Sequence, residues 1–222
     1  MAEASAHLQA GATGPREHGD ETRARIVETA LQLIADHGFS ATSTREIAEH
    51  LGFTKAALYY HFRTKEDLLA AIVAPAMQEL AVLAERGETA ATPAERRALV
   101  EGYVDLVARH AELIRVIAND PGAKDSSVFT TTEPLFASLV KALSGTETPD
   151  LEQRVRVRCA LGAIHLAFLR GDPEEDRPVV RQTACAAACS VLGIPAPRHA
   201  RRAVQQTVRD SVSGERADGA GS

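Results

Sequence analysis

Residues 42–69, "TSTREIAEHLGFTKAALYYHFRTKEDLL", decide how this chain folds. The run Ser43-Thr44-Arg45-Glu46 has the form of a capping box, in which the serine hydroxyl accepts the N3 amide while Glu46 reaches back. It opens a short helix whose Ile47, Ala48 and Leu51 share one face, and Gly52 ends it. Thr54 can cap the next helix, where Leu58 and Phe62, one turn apart, face a core. Thr64 and Asp67 make a second capping box and open a longer helix, "KEDLLAAIVAPAMQELAVLAERG", inside which Pro75 predicts a kink. Two short helices joined by a tight glycine turn and braced by a longer one form a helix-turn-helix.

The bracing helix lies upstream. In "ETRARIVETALQLIADHG", Ile26, Ala30, Leu33 and Ile34 fall at i, i+4, i+7 and i+8, one face of a helix. Gly38 is placed to end it, with Phe39 folding back on its last turn. Downstream, Thr92-Pro93 is a helix-start signal. The stretch that follows runs to about Asn119 as one long helix or with a break near His110. "PGAKDSSVFTTT" predicts a loop, 133–143 a helix, "SGTETPD" a linker, and 150–170 and 175–193 two closing helices. No segment alternates as strands do. The expected fold is all-α, with an N-terminal three-helix domain over 21–66 joined by a long helix to a helical body over 67–195. Residues 1–20 lack periodicity and are expected to be a disordered arm, and 196–222 a mobile tail.

Charge distribution points to a function for the quoted stretch. The chain carries a formal net charge of −5, yet residues 51–65 hold Lys55, Arg63 and Lys65 with two tyrosines, a histidine and no acid. Screening limits each charge to a range of roughly 8 Å at physiological salt, so a local basic patch survives overall acidity. On a wheel centred between Leu58 and Phe62, Ala56, Tyr60 and Arg63 lie opposite the core, with Ala57 and Tyr59 beside them. Small residues let a helix backbone approach base edges, and an alanine methyl can touch a thymine methyl. Lys55 and Arg45 can reach groove acceptors or phosphates, while Tyr59, His61 and Lys65 are spaced to meet phosphates on one flank. The helix N-termini at Ser43 and Thr64 add amide donors. Removing acids from this stretch avoids repulsion where a polyanion docks.

The signature Ile47-Ala48, Gly52, Leu58-Tyr59, His61-Phe62, Lys65 and Leu68-Leu69 resembles the DNA-binding segment of TetR-family transcriptional regulators. By that resemblance Ser43, Thr44, Tyr59, His61 and Lys65 match phosphate-contacting positions, and Arg45, Lys55, Ala56, Ala57 and Tyr60 match positions that approach bases. One departure is Phe53, on the core side, where a smaller aliphatic residue is usual; altered packing is expected there. The resemblance implies a cytoplasmic homodimer on a palindromic operator, most commonly a repressor, with a small-molecule pocket in each subunit and a C-terminal four-helix bundle at the dimer seam. The residues offer Ala184, Ala187, Ala188 and Val191 on the last helix, and Val155, Cys159, Gly162, Leu166 and Leu169 on the one before, as apolar seams. For a pocket, polar groups on apolar faces are sought. Tyr103, His110, Asn119 and His165 qualify, with Phe136, Leu139 and Phe168 alongside. Aromatic residues make up only 4% of the chain, which favours an aliphatic pocket for a weakly polar ligand over an aromatic cage.

Other classes fare worse. No Gly-rich phosphate loop, HExxH or nucleophile elbow is present, and paired ExxH motifs of di-metal bundles are missing, so neither an enzyme nor a bound cofactor is expected. No uninterrupted apolar run approaches the ~18 residues of a membrane span, and the N-terminus does not resemble a signal peptide, so no membrane partner is expected. An odd count of three cysteines suits a reducing compartment. An alternative is a metal- or redox-sensing regulator using Cys159, Cys185 and Cys189; buried cysteines acting as small hydrophobes are the blander reading. A further alternative is DNA binding with no small ligand.

Overall fold

A computed structural model describes residues 15–195 except 125, 127, 129–131 and 172–174. Among the described residues there are ten helices and no strand. They are α1 (Pro15–His37), α2 (Thr44–His50), α3 (Lys55–His61), α4 (Lys65–Glu88), α5 (Pro93–Arg109), α6 (Ala111–Asn119), α7 (Pro121–Lys124), α8 (Glu133–Ser144), α9 (Leu151–Leu169) and α10 (Arg177–Val191). The expected tail lies outside the described residues, as do residues 1–14 of the expected arm; residues 15–20 are already helical. The break at His110 is real, because the chain leaves helical geometry there (φ −105°, ψ 18°) before α6 begins. Pro121–Lys124, expected to be loop, forms a single helical turn whose Ala123 amide is held by the Asp120 carboxylate (3.1 Å).

The chain divides into two compact units. One comprises Met1–Pro75 with Arg115–Thr130, the other Ala76–Ile114 with Thr131–Ser222. The first boundary falls directly after Pro75, inside α4. The expected body starting at 67 is therefore divided differently, since the start of α4 and the end of α6 both belong to the N-terminal unit.

In that unit Ile26, Ala30, Leu33, Ile34, Ile47, Ala48, Leu58 and Phe62 are all buried, together with Leu68, Leu69, Ile72 and Val73 of α4. These are the positions that the helical period selects. Phe39 does fold back into this core. By length and composition α4 could cross a membrane. Its first half buries Leu68, Leu69, Ile72 and Val73 here and its second half buries Leu80, Leu83 and Ala84 in the other unit, while Val82 stays exposed.

The second unit packs α10 on α9 and α5, α8 on α9 and α5, and α5 on α9. Its core runs through Leu99, Val100, Tyr103, Val104, Val107, Leu139, Leu143, Val157, Ala160, Ile164 and Ala188. Capping boxes start α5 at Thr92 and α9 at Asp150, which supplies orphan amides at both starts with acceptors.

Candidate nucleic-acid interface

The two short helices are set by their ends. Ser43 Oγ accepts the Glu46 amide (3.1 Å) and Glu46 Oε2 accepts the Ser43 amide (3.3 Å), so the capping box forms as expected. At the exit of α2, Gly52 adopts φ +68°, a region open to glycine without steric cost, and the Phe53 amide donates back to Ala48 O (2.8 Å). Thr54 Oγ1 then accepts the Ala57 amide (3.2 Å) and starts α3. Thr64 and Asp67 exchange bonds of 3.0 and 2.9 Å at the start of α4. Phe53 is half-buried with the Arg25 guanidinium over its ring (5.8 Å to the centroid), so the departure from the family pattern is absorbed by stacking.

With Leu58 and Phe62 turned inward, α3 presents Lys55, Ala56, Ala57, Tyr59 and Tyr60 to solvent. Tyr60 is 87% exposed, an unusual place for a large aromatic ring unless it meets a partner. Lys55 lies over the Tyr59 ring (5.4 Å), and Tyr60 meets the half-buried His61 edge-on. Ser43 and Arg45 are exposed on α2 and its cap, while Thr44 is half-buried.

Two expected contacts are disposed differently. Arg45 is exposed, but its Nε donates to Glu49 Oε1 one turn on (2.7 Å), a pairing that raises its pKa. Glu49 was not singled out in the sequence, although the i, i+4 spacing signals the bridge. Lys65 departs further from its expected role at a phosphate. Its ammonium donates to the carbonyls of Phe39 and Ser40 and sits over the Phe39 ring (4.2 Å). Partial burial lowers its pKa. It therefore ties the turn that follows α1 to the start of α4.

Ser40 also connects to residues far along the chain. Its amide donates to Asp120 Oδ2 (2.8 Å) and its hydroxyl to Asp120 Oδ1 (2.7 Å). Asp120 is only 8% exposed. Burial pushes this carboxyl up, but the bonds from Ser40 and from the Ala123 and Gly122 amides outweigh it and hold it below its ordinary value. A side chain at Gly122 would collide with Ser40 Oγ, so the corner needs glycine there.

The expected pocket residues divide. Tyr103 Oη lies 2.8 Å from His165 Nε2 with the rings stacked, and burial raises the Tyr103 pKa and lowers that of His165, which keeps both neutral. Leu139 belongs to the same core, and Phe136 and Phe168 pack against it. His110 does not join them; it bonds Glu79 (3.1 Å), which also pairs with Arg109. A separate cleft of about 510 Å³, lined among others by Glu88, Thr89, Ser138, Lys141 and Thr146, involves none of these candidates. The three cysteines do not form one site either. Cys159 is exposed on α9, Cys185 and Cys189 are buried on α10, and no cluster of three metal-ligating side chains occurs among the described residues. Of the expected seams, Ala184 and Ala188 pack inside their own unit, whereas Val155, Cys159 and Leu166 are exposed.

A family profile described as "Bacterial regulatory proteins, tetR family" matches residues 26–72. The HTH-type transcriptional regulator AcrR of Shigella flexneri is 42% identical over 57 residues, 26% of this chain and 26% of AcrR, so the chain spans only that share of this relative's length. The HTH-type transcriptional activator FasR of Mycolicibacterium smegmatis is 25% identical over 178 residues, 77% of this chain and 81% of FasR. Among solved structures, AibR in complex with isovaleryl coenzyme A and operator DNA matches with TM-score 0.58 and 26% identity, over 74% of this chain and 96% of AibR.

Proposed function

Since the chain belongs through its N-terminal domain to the TetR family of bacterial regulatory proteins, a family of transcriptional regulators and not of enzymes, we propose that it binds a palindromic DNA operator as a homodimer and represses transcription until a small molecule is bound. In this reading α3 enters the major groove. Ala56, Ala57 and Tyr60 approach bases, as do Lys55 and an Arg45 freed from Glu49. Ser43, Thr44, Tyr59 and His61 meet phosphates. Work on DNA places the protein in the cytoplasm. The observation that carries the reading is the solvent face of α3, where a cation, two alanines and two tyrosines stand without an acid between two capped helix starts.

The dimer is supported by unpartnered apolar side chains on the last two described helices. Leu151 and Leu166 of α9 are 65% and 63% exposed, and Val155 of α9 and Val179 and Val191 of α10 are exposed as well. Such a surface fits a second copy of itself across a two-fold axis. In this reading the ligand binds around Tyr103 and His165 with Phe136, Leu139 and Phe168, supported by two neutral polar groups in an apolar core. Ligand binding acts by favouring one of two states, with α4 as the carrier and Pro75, at the boundary of the two units, as its hinge. The match to FasR over most of its length supports a second reading, activation instead of repression.

Selection of duplexes from a random pool, followed by a salt titration, tests the proposal. A palindromic consensus is expected, and Lys55→Ala should cost ~1–3 kcal/mol preferentially at one operator position, as a base contact does. Absence of any sequence enrichment would overturn it. Transcription from the selected operator then separates repression from activation, and Pro75→Ala tests the hinge through the ligand response.

A further inference from the structure

We propose that Cys185 and Cys189 form a dithiol site for a monosubstituted trivalent arsenical, held on the inner face of α10 under a rim of α5 side chains. The two residues stand one turn apart on the face of α10 that packs on α5 and α9. At this spacing Cβ atoms lie about 5–6 Å apart on one side of a helix. Their sulfurs share a hydrogen bond. Both residues are largely buried, at 8% and 3% exposure, but the charged groups facing the pair are side chains of Arg97 and Glu101 on α5 and Arg181 on α10. Arg97 is half-buried and Arg181 exposed, so the pair, although part of the core of its unit, lies within electrostatic range of charged side chains that reach the surface.

The chemistry follows from that setting. A thiolate is the ligand form of cysteine. The bond from Cys189 lowers Cys185 to about 7, against burial and Glu101, with Arg97 and Arg181 helping. Cys189 is correspondingly pushed up. Of the two, Cys185 is therefore the sulfur that loses its proton first and attacks first. Two sulfurs without a third ligand do not complete a tetrahedral zinc site. A linear two-coordinate ion needs its sulfurs on opposite sides, whereas these lie side by side. A pyramidal arsenic(III) whose third substituent is carbon needs two adjacent thiols. With R–As(OH)₂, two S–As bonds form and two As–O bonds break. Both thiol protons leave with the hydroxides as two waters, and no oxidant is consumed.

The test uses the full chain carrying Cys159→Ser, which removes the exposed thiol on α9, with phenylarsine oxide as probe. Expected under native conditions are a one-to-one adduct by intact mass, loss of both titratable thiols and a raised melting temperature. Cys185→Ser and Cys189→Ser should each weaken binding roughly 100-fold, because the second bond is intramolecular. Should those variants fold poorly, displacement from the unsubstituted thiol pair decides: a 1,2-dithiol should release the probe where a monothiol at equal thiol concentration does not. An adduct that forms only in urea, survives in either serine variant, or yields equally to the monothiol would overturn the site.

Discussion

Replacing Asp120 by alanine should loosen the N-terminal unit from a position far along the chain from the helix-turn-helix. The carboxylate accepts two bonds from Ser40, at 2.7 and 2.8 Å, and one from the Ala123 amide at 3.1 Å. Truncation leaves the Ser40 and Ala123 amides without their acceptor, and hydrogen bonds to charged groups contribute about 1.5–3 kcal/mol each. These bonds share one carboxylate and do not add fully, so the expected loss is ~3 kcal/mol in total. Urea unfolding followed by circular dichroism measures it, with hydrogen exchange localising the change to the turn at 38–43 and the corner at 120–123. In Asp120→Asn an amide group faces the Ser40 N–H, so most of the loss should persist. The Asp120 pKa is held down in the folded state. Its contribution is therefore present above the unfolded value of about 3.9 and disappears as pH falls through the lower folded value. The stability gap between wild type and Asp120→Asn should accordingly be full at neutral pH and close in acid. A change below ~0.5 kcal/mol for Asp120→Ala, the range of ordinary surface substitutions, would refute this reasoning.

Ser43→Ala should destabilise the unit by ~1 kcal/mol through loss of the α2 cap, read from the same urea curves. Lys65→Ala should lower the melting temperature of the free protein, because its ammonium satisfies the Phe39 and Ser40 carbonyls in the turn after α1; if only DNA affinity falls and the melting curve is unmoved, Lys65 serves phosphate instead. Arg45→Ala should reduce affinity roughly tenfold or more at one base-pair position of the selected operator, whereas equal losses on specific and random duplexes would remove its base-reading role. Glu49→Ala frees Arg45 and should strengthen binding to DNA of any sequence, measured by anisotropy at low salt.

The local design of the DNA-facing unit was legible in the residues because it is governed by short-range rules. Capping boxes, the glycine at φ +68° and the i, i+4 burial of Leu58 and Phe62 each involve groups within a few residues of one another. Helical starts and stops in the body were legible for the same reason, including the alternative break at His110. Two particulars resisted that reading. Pro121–Lys124 forms its turn because Asp120 acts on its amides, which a loop-like composition conceals. The bond from Lys65 to a carbonyl 26 residues away is likewise invisible to spacing along a helix.

Sequence alone determined that α1 to α4 form, their inward faces and the acid-free surface of α3. Periodicity and capping act over one or two turns, so a single chain segment specifies them. Tertiary structure alone decided which distant groups meet. It joined Ser40 to Asp120 across 80 positions, seated Ala184 and Ala188 against their own core, and left Val155 and Leu166 facing solvent. Helical periodicity states that a face is apolar, but several faces of α9 and α10 satisfy that condition equally. Which one is covered depends on the packing of α5 and α8, and those contacts are non-local.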